Sequence, residues 1–179
     1  MDIESEWREV RESYHFIFAR MLFGAIQDWR TLYHNIFAHL MPNGWFEQVE
    51  IDWMPRCDDG SLPQNSALEK WANELLNAMR DAGRPIGVDT ARTRAAMTAA
   101  GLVDFTEEII RVPFNAWSKD PHEYQIGRWF LLGLCEGLQA LSLAPLTRVK
   151  GWTYQQVQEL VDSVSGEIRS LEHHAYCHL

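Results

Sequence analysis

Three carboxylates stand in a run that otherwise reads as a buried strand: HLMPNGWFEQVEID, His39 to Asp52. Alternation along an extended chain puts Trp45, Glu47, Val49 and Ile51 on one face and Phe46, Gln48, Glu50 and Asp52 on the other. Neither face is uniformly apolar. A desolvated Glu47 or Glu50 with a raised pKa could serve as a general base, and Asp52 sits towards the end of the strand where such a group would be useful. The same side chains have a plainer use, capping neighbouring helix ends or pairing with Arg20 or Arg128. Glu50 fits that plainer use best.

Histidines are numerous, seven in 179 residues. His34 and His39 lie five apart on a helical stretch and do not share a face. His173, His174 and His178 cluster without cysteine or carboxylate at ligand spacing, so no metal site is expected. His122 falls in the first turn of a capped helix. His15, on an apolar run YHFIFARMLF (14–23), is the one placed for chemistry, though a satisfied core histidine is the competing reading. Glycines 127, 133 and 137 interrupt a Trp/Phe/Leu-rich helix, which suggests either close helix packing or room for a flat apolar ligand beside Trp129 and Phe130. Trp45, Trp53, Trp117, Trp129 and Trp152 exceed what a core of this size needs, and point to a hydrophobic substrate cavity or an interface. The catalytic candidates are therefore Glu47, Asp52 and His15. The substrate-binding candidates are Arg20, Trp45, Trp117, Trp129 and Phe130.

The elements that must position these groups follow from the pattern. Residues 14–23 read as a buried parallel strand. Asp28 caps a helix with Leu32, Tyr33, Ile36, Phe37 and Leu40 on one face. Pro42–Gly44 turns the chain, and a strand runs over 45–53. Ser66 and Glu69 make a capping box that opens a helix, which Gly83 ends. A short helix over about 90–100 closes at Gly101, and VDFTEEIIRVP reads as the third strand. Asp120-Pro121 starts the longest helix, with Glu123 completing a second capping box and Pro145 stopping it. Thr153 opens the last helix, striped by Val157, Leu160, Val161, Val164, Ile168 and Leu171. The order indicates a single α/β domain over 1–179 with few, mainly parallel strands, flanking helices and a helical C-terminal part. Three strands make a narrow platform with two raw edges, so the chain looks like part of a larger sheet.

Composition excludes several classes. Hydrophobic residues form 46% of the chain, with eight Trp, so a core is expected and disorder is not. A formal net charge of −9 with scattered basic residues argues against nucleic acid. Three distant cysteines suit a reducing compartment. No apolar run approaches a membrane span and the acidic start is not a signal peptide, which together suggest a cytoplasmic protein.

GWFEQVEIDWMPRCDDGSLP (44–63), RVPFNAW (111–117), IGRWFLLGLCEGLQALSLAPLTRVKGW (126–152) and HAYC (174–177) resemble the fungal LaeA-like methyltransferases. These are class I S-adenosylmethionine (SAM) enzymes and regulators tied to secondary metabolism. The resemblance covers about residues 14–177. It implies a truncated Rossmann-like sheet made of the family's fourth, fifth and sixth strand units and ending just before its last strand. The family's glycine-rich turn and the acidic residue that holds the ribose hydroxyls have no counterpart, and no G-x-G occurs in the chain. His15 replaces an acidic residue and Phe18 a histidine of the family's fourth strand. Arg20 and Met21 would line the methionine side of its pocket.

The expectation is no cofactor, unless a partner chain supplies the missing half and with it SAM. Three roles remain open. The first is a cofactor-independent cyclase, isomerase or dehydratase acting on an apolar natural-product intermediate. The second is a methyltransferase completed by a partner chain. The third is a non-catalytic LaeA-like regulator, for which a nuclear location is an option. The strand Phe16–Arg20 lacks a neighbour, so a homo-oligomer that covers it is expected.

Overall fold

A carboxylate at Asp28 starts the first helix by accepting hydrogen bonds from the amides of Arg30 and Thr31, both at 3.1 Å. This is α1 (Trp29–His39) in the computed structural model, which describes residues 3–5, 7 and 11–179. Contacts divide the chain into two units: residues 1–50 with 87–108, and residues 51–86 with 109–179.

In the first unit β1 (Tyr14–Arg20) and β2 (Leu40–Val49) pair in parallel on either side of α1 in sequence. Phe16 lies opposite Trp45, Phe18 opposite Glu47 and Ala19 opposite Gln48. The segment Pro42–Gly44, expected to turn the chain before a strand began, is instead absorbed into β2. Between the pairs Tyr14–Leu40 and Phe16–Trp45 the register shifts, with Asn43 left-handed at φ 63°. α3 (Thr90–Ala100) starts at the Asp89 cap and ends at Gly101, φ 106°. Leu32, Tyr33 and Ile36 of α1 bury against Ile26, Leu40, Met97 and Ala100, with Ile17 and Phe46 packed on that cluster from the sheet. One face of the strand pair is thereby used. The other is bare: Phe16 is 53% exposed, Phe18 50% and Trp45 64%. β1 was expected to be buried, yet only Ala19 is. A parallel strand needs cover on both faces, and this one has it on one.

In the second unit β3 (Asp52–Arg56), β5 (Tyr176–His178) and β4 (Arg111–Pro113) form a sheet in that order, with both pairings antiparallel. The α/β class and the parallel pair with flanking helices are as the sequence indicates; the antiparallel sheet is an addition to it. The 45–53 run breaks at Glu50–Ile51 into β2 and β3, and only the last three residues of VDFTEEIIRVP are strand. β5 takes the last two residues of HAYC and His178, a segment in which the sequence reading placed no strand. It is the central strand of its sheet.

Helices α2 (Ala67–Asp81), α4 (Pro121–Ala144) and α5 (Tyr154–Arg169) complete this unit. Pro145 does not stop α4 outright; a turn of π-helix, Pro145–Val149, carries the axis on. Glu123 does not close a capping box either, since its carboxylate accepts from the Ser118 hydroxyl at 2.6 Å while Asp120 caps the helix. Pro121–Val149 is, by length and composition alone, apolar enough to cross a membrane, contrary to the sequence expectation. Its Gly127, Leu134, Leu138 and Ser142 are buried in the unit. The Ser142 hydroxyl accepts from Trp71 Nε1 at 2.8 Å and donates to the Leu138 carbonyl, so a buried indole N–H is satisfied.

Two glycines of α4 separate packing from propensity. A methyl group on Gly127 would lie 2.1 Å from the Asn115 carbonyl oxygen, whereas one on Gly137 meets nothing within 4 Å. Gly127→Ala is expected to destabilise the protein by about 2 kcal/mol or more through forced backbone displacement. Gly137→Ala should stabilise it by up to about 1 kcal/mol through helix propensity. Urea denaturation of both variants checks this; equal effects would contradict it.

Candidate functional site

In open α/β sheets the carboxyl ends of parallel strands face the ligand crevice. At that end of β1 the chain turns through Met21, left-handed at φ 57°, after its amide has bonded the Val49 carbonyl at 2.9 Å. The next two amides have left the strand ladder. Glu50 takes both, Oε1 accepting from Leu22 N at 3.0 Å and Oε2 from Phe23 N at 3.2 Å. Gln48 Nε2 donates to the same carboxylate at 3.2 Å, and Gln48 Oε1 accepts from the Tyr33 hydroxyl at 2.8 Å. Burial pushes the Glu50 carboxyl above its ordinary value, with the two amides and Gln48 opposing. Burial also pushes the Tyr33 phenol up. This relay fixes the turn after β1. Both Glu50 oxygens are engaged, which is the structural role rather than that of a free base.

The other sequence-named groups of this unit stand in solvent. Glu47 shares the bare face with Trp45, Phe16 and Phe18. His15, expected on a buried strand, is exposed at the register shift, and Arg20 is exposed at the strand end. Among the described residues the side chains of Glu47, His15 and Arg20 have no hydrogen-bond partner.

In the second unit Asp52 pairs with Arg56 at the opposite end of β3 and also accepts from the Met54 amide at 3.3 Å. Phe130 is half-buried, against Trp53 (6.5 Å between centroids) and Phe114 (5.6 Å). Trp129 is 66% exposed. Trp117 belongs to a cluster that sequence reasoning missed. Its ring stacks on His174 at 4.9 Å, and its Nε1 donates to the Ala175 carbonyl at 3.0 Å. The Arg111 guanidinium lies 3.8 Å over Tyr176 and 5.4 Å over Trp117, and pairs with Asp58 at 3.0 Å. Asp59 accepts from the Ser61 amide, from Cys57 Sγ at 3.2 Å and from His174 Nδ1. Hydrogen bonds from Ser61, then His174 and Cys57, hold its carboxyl well below the usual range. The signal available was Asp58-Asp59-Gly60 in an irregular loop, with Gly60 at φ 72°; nothing local tied it to His174.

That cluster anchors the loop 57–62 to the segment entering β5, with Ser61 Oγ also accepting from the His174 amide at 2.9 Å. Among the described residues no three His, Cys, Asp or Glu side chains converge as metal ligands. A cleft of about 560 Å³ opens between α2 and α5, lined by Asn65, Lys70, Trp152, Gln156, Glu159 and Ser163 among others. It contains none of the catalytic or substrate candidates named from the sequence.

The chain matches no family model. It is 46% identical over 177 residues to the secondary metabolism regulator LAE1 of Cochliobolus heterostrophus, covering 98% of this chain and 57% of the relative. It is 39% identical over 175 residues to the protein-methionine methyltransferase laeA of Emericella nidulans, covering 98% and 46%. To the protein of that same name from Chaetomium globosum it is 46% identical over 147 residues, covering 82% and 46%. The chain belongs to the LaeA-like family. It spans about half the length of the curated relatives it matches. An N-methyltransferase of Haemonchus contortus, solved with S-adenosylhomocysteine, overlays 99% of this chain and 34% of its own with a TM-score of 0.42 at 14% identity.

These relatives are named regulator and methyltransferase, and none of the three is named a cyclase or isomerase. At the crevice end of β1 the two amides that leave the ladder are bonded to Glu50, so they are not available to a ligand.

Glu50 yields a pH test. Its folded-state pKa is raised above the usual 4.5, so its contribution to stability is fully present below about 4.5 and is lost as pH rises through the folded value. Glu50→Gln removes that titration and leaves one turn amide without its acceptor. The variant should lose about 1 kcal/mol at pH 4.5, a deficit that shrinks towards pH 7. Urea melts across that range check it; a deficit that grows with pH would contradict the relay.

Proposed function

We propose that these residues are the second half of a LaeA-like regulator of secondary metabolism, and that its methyltransferase site forms only when a segment carrying the first half docks against β1. The observation that carries this reading is the state of β1. Among the described residues it pairs with β2 alone, and the face bearing Phe16, Phe18 and Trp45 is uncovered. An unpaired apolar strand is a template for another strand, and the bare face has the aromatic content of a protein interface. The relatives supply a reason for what would sit there, since about half of their length has no counterpart in this chain. Arg20 and Met21 then stand at the carboxyl end of β1, beside the crevice that the docked half would close.

A second copy of the chain covering β1 is the alternative occupant, as the sequence analysis expects. The reading as a cofactor-free cyclase has less behind it. Its Glu47 and His15 are exposed, its Asp52 is held in an ion pair, and its apolar liners Trp45 and Trp129 face solvent while Phe130 packs half-buried against Trp53 and Phe114.

Isothermal titration with S-adenosylhomocysteine tests the proposal. The chain alone should give no heat. The chain copurified with the N-terminal half of the Cochliobolus heterostrophus relative should bind in the micromolar range. Micromolar binding by the chain alone, or a stable complex of the two halves that binds nothing, would overturn it.

A further inference from the structure

Helix α4 carries a second unpartnered face. Gln125, Trp129, Leu132, Gly133, Glu136 and Ala140 follow helical spacing on the side opposite the buried Gly127, Leu134, Leu138 and Ser142, and all six are exposed. Trp129 is 66% exposed and Leu132 54%, far more than either side chain usually leaves in water. A carboxylate, Glu136, stands within this apolar strip, and Arg128 flanks it. Among the described residues neither has an ion-pair partner.

We infer that this face is an isologous docking surface for a second copy of the chain, formed by antiparallel pairing of two α4 helices about a two-fold axis at Leu132. Charge selects the register. Arg128 and Glu136 lie four residues either side of Leu132, so the two-fold places Arg128 of each copy against Glu136 of the other, and both unpaired charges are matched twice. In the same register Trp129 of one copy lies level with Cys135 of the other, next to Glu136, so the two exposed indoles flank the axis. A large aromatic seated centrally and ringed by polar side chains is the form that interface anchors take. This surface is separate in kind from the β1 face: it pairs helices rather than strands, and its occupant is the chain itself.

Sedimentation equilibrium of the 179-residue chain with charge reversals tests the register. The wild-type chain should be a dimer. Arg128→Glu and Glu136→Arg should each weaken it at least tenfold by placing like charges together. The double variant should recover the wild-type constant, and an equimolar mixture of the two single variants should form the mixed dimer. Trp129→Ala should weaken the dimer while leaving the far-ultraviolet dichroism unchanged, which separates docking from folding. A monomeric wild type, a dimer indifferent to the reversals, or flotation of the wild type with phosphatidylcholine vesicles in place of self-association would overturn the inference.

Discussion

A parallel strand has two faces and two edges, and among the described residues β1 has partners for only one of each. Everything distinctive about the first unit follows from that constraint. Ile17 and Ala19 look towards the α1 core with Phe46, while Phe16 and Phe18 stand in a row with Trp45 and Glu47 in water. Exposing large aromatics costs roughly what burying them would return, about 1.5–3 kcal/mol each, so a covering element gains a substantial driving force. The turn that leaves β1 is nonetheless rigidly held. Glu50 binds its two free amides and reaches Tyr33 of α1 through Gln48, so the carboxyl end of the strand is set before anything docks on the strand itself.

The carboxylates that invite a catalytic reading are, in the structure, mostly employed in holding the chain. Glu50 anchors a turn, Asp52 is paired with Arg56, Asp58 with Arg111, and Asp59 gathers Ser61, Cys57 and His174. Glu47 is the exception, and it faces solvent on the bare sheet. A general base needs a desolvated site with a substrate beside it, and none of these groups lines the cleft between α2 and α5. On the proposed reading, the chemistry in the relatives' methyltransferase name is assembled by docking.

Helix starts were legible because their causes are local. Asp28, Ser66, Asp120 and Thr153 each cap within three residues of themselves, and all four do so in the structure. What was not legible depends on distant partners. Tyr176–His178 becomes a strand because β3 and β4 flank it, from more than sixty positions upstream, and three residues carry no periodicity of their own. Pro42–Gly44 looks like a stop, and is one of conformation but not of strand, since β1 holds the chain on both sides of it. Pro145 lacks an amide hydrogen, yet a π-turn needs none there. Asp59 and His174 are neighbours only because loop 57–62 and the β5 entry fold together. Aromatic composition alone left packing and a ligand wall both open for Phe130, and the structure sets its ring between Trp53 and Phe114.

Amide hydrogen exchange resolved over Tyr14–Arg20, compared for the chain alone and with the N-terminal half of a full-length relative, addresses the central claim most directly. The account expects protection across β1 to rise on docking while α5 exchanges as before. Unchanged exchange at β1 in a demonstrated complex would contradict it.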